Sequence, residues 1–98
     1  MPAPADPATE PVLDRAWELD PQVSVRPEAF GALLYHFGTR RLSFLKDRRL
    51  LAVVEALASS PTARVACAGA GLDERALPAY ERALARLADT SMLRERAS

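Results

Sequence analysis

The chain has 98 residues; its thirteen basic and thirteen acidic side chains cancel, and it carries a single cysteine. A domain of this size buries only about 60 to 65% of its unfolded surface, enough for one modest core and too little for a deep multi-residue active-site cavity. The balanced charge lacks the positive field that sequence-independent phosphate binding needs, so nucleic acid is a disfavoured partner, and the lone Cys67 can build neither an intramolecular disulfide nor a cysteine metal site.

Residues 1–12, MPAPADPATEPV, hold four prolines and almost nothing large and apolar. Such a segment cannot offset its own ordering entropy, and a disordered Pro/Ala-rich tail is expected over residues 1–14, ahead of a domain at 15–93. The N-terminus lacks the basic and apolar regions of a secretory signal, and no apolar run nears the ~20 residues of a membrane span, so a soluble, cytoplasmic protein is expected. Trp17 and Leu19, then Val23 and Val25, alternate with polar neighbours between Pro21 and Pro27. This predicts a short edge-type strand near residues 22–26, with Trp17 and Leu19 packed ahead of it.

From Ala32 to Phe37 the chain is almost wholly apolar; Gly38, Thr39 and Arg40 then supply a turn before Leu42 and Phe44 alternate with Arg41, Ser43 and Leu45. The pattern is that of a β-hairpin. Its first arm sets Leu33, Tyr35 and Phe37 on one face and Ala32, Leu34 and His36 on the other. A strand apolar on both faces suits the centre of a three-stranded meander. Asp47 is a plausible N-cap for a first helix whose stripe is Leu50, Val53, Val54 and Leu57. Ser60-Pro61 predicts a short second helix over about residues 61–68, stopped by Gly69 and Gly71. Pro78 can open a third, with Tyr80, Leu84 and Leu87 as its buried stripe, after which Met92 and Leu93 fold back onto the core and residues 94–98 form a flexible C-terminus.

Strands first and helices after place the chain in the α+β class. Three helices beside a small antiparallel sheet are also similar to a winged helix-turn-helix, which leaves a winged-helix DNA-binding regulator as the alternative reading. Against it, the third helix offers Glu81, Arg82, Ala85, Arg86 and Asp89 outside its stripe, a mixed-sign face with few base-reading groups.

No set of residues has the makings of an active site. His36 stands in an apolar strand with no second oriented partner, Cys67 lies between alanines, and Asp73 with Glu74 suits the N-terminus of the third helix. There is no Gly-rich phosphate loop, no metal-ligand spacing and no nucleophile elbow, so the chain is not expected to be an enzyme or to carry a metal or cofactor. Arg40, Arg41, Lys46, Arg48 and Arg49 cluster around the hairpin tip and the start of the first helix, as a solvated rim or as a contact for an acidic partner segment.

The segment DPQVSVRPEAFGALLYHFGTRRLSFLK, residues 20–46, resembles the mycofactocin-system chaperones within the PqqD-like family of precursor-peptide recognition elements, and the run GALLYHFGTRRLSFLK is its most specific part. The likeness extends over about residues 16–93 and departs from the family at Ala29, where a proline is expected. It implies a PqqD-like module of three antiparallel strands and three helices that binds the leader of the mycofactocin precursor peptide. The implied second partner is a radical S-adenosylmethionine (radical SAM) maturase, which would supply the cofactor and iron–sulfur clusters; this chain would hold none and would be a monomer before its partners join. The residues supply a route: the exposed edge at Arg41, Leu42, Ser43, Phe44 and Leu45 can take an added strand. A groove towards the third helix, with Leu42, Phe44, Tyr80, Leu84 and Leu87 as candidates, would select apolar leader side chains; core packing is the competing role for each of these.

Overall fold

The computed structural model describes residues 11–96. In chain order they form a 3-10 turn (Val12–Asp14), β1 (Trp17–Leu19), β2 (Val23–Glu28), β3 (Gly31–His36), β4 (Arg41–Leu45), α1 (Arg48–Ala56) with a short 3-10 extension (Leu57–Ser59), α2 (Ala63–Gly69), α3 (Leu77–Asp89) and β5 (Leu93–Glu95). The three-stranded antiparallel sheet has the order β2-β3-β4, with β3 central as its two apolar faces required. The expected tail at residues 1–10 lies outside the described residues, as do residues 97 and 98.

The boundaries of the domain differ from those expected. Leu13, assigned to the tail, is buried, and the Trp17 indole N–H donates to the Val12 carbonyl at 2.9 Å, so the chain joins the core before residue 15. At the other end, residues 94 and 95 are not a loose terminus. Trp17–Leu19 is a strand in its own right, pairing antiparallel with Leu93–Glu95 to form a second, two-stranded sheet. Arg94 reaches Glu18 across that pair at 2.6 Å, and the Arg96 amide donates to the Ala16 carbonyl at 3.0 Å. The edge strand β2 runs on through Pro27 to Glu28, since proline lacks only the N–H that an edge position leaves unused.

One face of the sheet packs on the helices. Val25 opposes Leu34 and Leu34 opposes Ser43, while Ala32 opposes Leu45, which sets Ala32, Leu34 and Leu45 on the inner face against Val53, Val54, Leu57 and Leu84. Burying a side chain such as Leu34 contributes about 2 kcal/mol, so this single layer of contacts supplies most of the driving force available to so small a domain.

The helix ends follow from local chemistry. The Asp47 carboxylate accepts the Arg49 amide at 2.8 Å and caps α1 as expected. Helix α2 starts two residues later than the proline rule suggested, because Thr62 provides the cap: its hydroxyl accepts the Val65 amide at 3.3 Å. Gly71, in the left-handed region at φ 84°, ends it as the amides of Gly71 and Leu72 return to the carbonyls of Ala68 and Cys67. Ser91 does the same for α3 at φ 66°, with Met92 bonding back to Leu87 at 2.9 Å. That reversal drops Met92 into the core and aims Leu93 into the pairing with β1.

Candidate functional site

Strand β4 is an edge: β3 occupies one side of it, and no other strand lies along the other among the described residues. Its outward main-chain groups face a groove of about 300 Å³ between the strand and α3. Leu42 to Lys46 form one wall, Leu50 lies on α1, and Ala83, Arg86, Leu87 and Thr90 form the other wall. The groove runs on to a smaller cleft of about 180 Å³ lined by Asp47, Leu50, Ala79, Tyr80 and Ala83. Beyond it lies an open, basic depression bordered by Arg48, Arg49 and Ala52, which shares Asp47 and Tyr80 with the cleft.

Of the residues picked out by sequence, Arg41, Leu42, Ser43, Phe44 and Leu45 together form the open edge, and Leu87 borders the groove from α3. Tyr80 borders the adjoining cleft. Two assignments need correcting. Leu84 is fully buried and serves the core, because the i, i+4, i+7 stripe of α3 points inward at its centre. Leu42 and Phe44 pair with Tyr35 and Leu33, so their side chains project from the helix-free face of the sheet, and only their strand positions border the groove. Ala83, Arg86 and Thr90 were missed; small and polar residues beside an apolar stripe carry no signal until a facing strand is in place.

Tyr80 and Asp47 join the two walls. The Tyr80 hydroxyl donates to Asp47 Oδ2, while Asp47 Oδ1 holds the Arg49 amide. The bond from Tyr80 is the main cause that holds the Asp47 carboxyl below its usual value of 3.8. Partial burial, together with the same bond, pushes the Tyr80 phenol up to about 12. The signs fix the pH dependence: a depressed acid stabilises the fold above its unfolded value and loses that contribution as pH falls through the folded one. A raised phenol loses its contribution as pH rises from about 10 towards 12. Tyr80→Phe is therefore expected to cost about 1 kcal/mol between these limits and to flatten both the acid and the alkaline limb in urea melts taken across pH.

The remaining polar groups are structural. His36 is buried; its Nδ1 accepts the amides of Gly38 and Thr39, each at 3.0 Å, which places the proton of the neutral ring on Nε2, 3.6 Å from Asp20. The ring shapes the β3–β4 turn. Cys67 is buried, and burial pushes its thiol up. The Asp73 carboxylate accepts the Ala76 amide at 3.1 Å, in the turn ahead of α3. Among the described residues, no three His, Cys, Asp or Glu side chains are grouped to hold a metal ion, and no helix is long and apolar enough to cross a membrane.

A small α+β module with one strand edge open beside a groove has the geometry that peptide-binding modules use for strand addition. The model of the Peptide chaperone MftB family matches residues 16–94, and the chain belongs to that family. It is 61% identical over 80 residues to the peptide chaperone MftB of Mycobacterium tuberculosis, covering 82% of this chain and 73% of the relative. The proteins of the same name from Mycobacterium ulcerans and Mycolicibacterium smegmatis are 59% and 52% identical, again over 82% of this chain and over 73% and 78% of theirs. No solved structure matches at comparable significance. The chain is a peptide chaperone, not an enzyme.

Proposed function

We propose that this chaperone binds the leader region of the mycofactocin precursor peptide as an added strand along β4 and delivers the peptide to a radical SAM maturase. The observation that carries this reading is the open β4 edge lying directly above the groove against α3. Main-chain bonds along the edge supply affinity without regard to sequence, and alternate leader side chains entering the groove supply selectivity. The opposite edge is the poorer template: β2 carries Pro27, which has no N–H to offer, and the Arg26–Glu28 ion pair at 2.7 Å.

The exposed cations Arg41, Lys46, Arg48 and Arg49 surround the ends of the groove, and none forms an ion pair among the described residues. They suit a leader with acidic residues flanking its apolar segment. Holding the leader on a module docked to the maturase raises the local concentration of the reacting end to the ~mM range when the spacer fits the distance, which is delivery without chemistry.

Calorimetric titration of the chain with the full precursor peptide, and with a version lacking the leader, tests this. One-to-one binding that vanishes without the leader is expected. Equal binding of the leaderless peptide contradicts the reading.

A further inference from the structure

Among the described residues, four of the five large apolar side chains that stand about half exposed or more, Phe30 (48%), Phe37 (59%), Leu42 (54%) and Phe44 (60%), lie on one surface, the face of the three-stranded sheet turned away from the helices. They form a continuous strip. Phe30 leans on Phe44 with ring centroids 6.2 Å apart, Phe44 opposes Leu33, Leu42 opposes Tyr35, and Tyr35 meets Phe37 edge-on at 5.2 Å. Nothing among the described residues covers it. A contiguous aromatic surface of this kind on a small protein marks a contact with another macromolecule, and aromatic side chains at the centre of such a contact carry most of its energy.

The charges around the strip select the occupant. Arg26 and Lys46 border it, and Glu28 on the same face is already paired with Arg26. A two-fold pairing of identical chains would set this positive rim against itself, which costs affinity. The complementary occupant is a different protein that presents an apolar centre and an acidic border. The face also shares β4 with the peptide edge, so a protein seated there touches the strand that holds the leader, without filling the groove on the other side.

We infer that the helix-free face of the sheet, centred on Phe30, Phe37 and Phe44, is where the peptide-modifying enzyme docks; this rests on the delivery role proposed above. Peptide and enzyme then occupy two surfaces of one strand and bind together.

The test uses the full chain, the precursor peptide and the purified radical SAM maturase, with the double substitution Phe30→Glu and Phe37→Glu. Both residues lie outside the groove and are exposed, and circular dichroism checks the fold. Arg26→Glu, which reverses one exposed rim charge, is the second variant. The double variant is expected to lose enzyme affinity by about tenfold or more and to keep peptide affinity within about twofold, and Arg26→Glu to weaken enzyme binding alone. Enzyme affinity that survives both variants would overturn the inference and leave the peptide reading intact. So would self-association of the wild-type chain that the double variant abolishes without affecting the enzyme. Loss of peptide and enzyme together from a folded variant would show that the two surfaces are not separate. A wild-type chain that binds peptide but no enzyme removes the delivery role and this docking site with it.

Discussion

Gly31→Ala is expected to destabilise the chain by about 3 kcal/mol or more, a large share of what a domain of this size has to lose. Gly31 follows the two-residue turn between β2 and β3 with φ at 150°, a region that side-chain-bearing residues rarely adopt. A β-carbon there would stand 2.0 Å from the Leu45 carbonyl oxygen and 2.8 Å from the Asp47 amide. Both obstacles are backbone, so no side-chain rotation relieves them. The strain falls on the passage from β4 into α1, where Asp47 caps the helix and holds Tyr80. Urea denaturation would register the loss, and leader binding should fall with it because the clash displaces the C-terminal end of the edge strand. A variant as stable as wild type would mean that β3 and the β4–α1 passage do not approach as closely as described.

Ala83→Arg is expected to have the largest effect on binding at little cost in stability. Ala83 is partly exposed on α3 and borders both the main groove and the cleft beside Tyr80. An arginine there can lay its stem along the groove and keep its head in water, so the fold tolerates it while the space for leader side chains is filled. A loss of about tenfold or more in leader affinity, equivalent to ~1.4 kcal/mol, is expected by calorimetry, with the melting temperature nearly unchanged. Arg82→Ala, one position away and exposed, should leave affinity within about twofold.

Much of this was legible in the sequence, for physical reasons that differ by element. The stripe Leu50, Val53, Val54 and Leu57 is buried as its spacing required, and Asp47 caps its helix, since both features depend on residues a few positions apart. The meander was legible because alternation and turn chemistry are also local. The β1–β5 sheet was not: each strand has three residues, and they meet only after the whole domain has closed. Thr62 displaced the expected start of α2 because a hydroxyl cap competes with proline at neighbouring positions, and sequence does not rank the two.

For the site, the edge strand was readable and its surroundings were not. The stripe of α3 gives the buried face of the helix but not what it is buried against, so Leu84 looked like a groove residue when it belongs to the core. The apolar set Leu33, Tyr35 and Phe37 was visible as a second apolar face of β3. Three helices of these lengths cover one face of the sheet, and the other is left bare.

Amide hydrogen exchange of the chain with and without leader peptide, resolved to single residues, tests the central claim most directly. An edge strand exchanges readily on its open side, and an added strand bonds those same groups. Strand addition at β4 predicts slowed exchange at the outward amides of residues 41–46, with smaller effects along the facing side of α3 and none along β2. Protection of β2 with β4 unchanged, or protection confined to the helices, would contradict it.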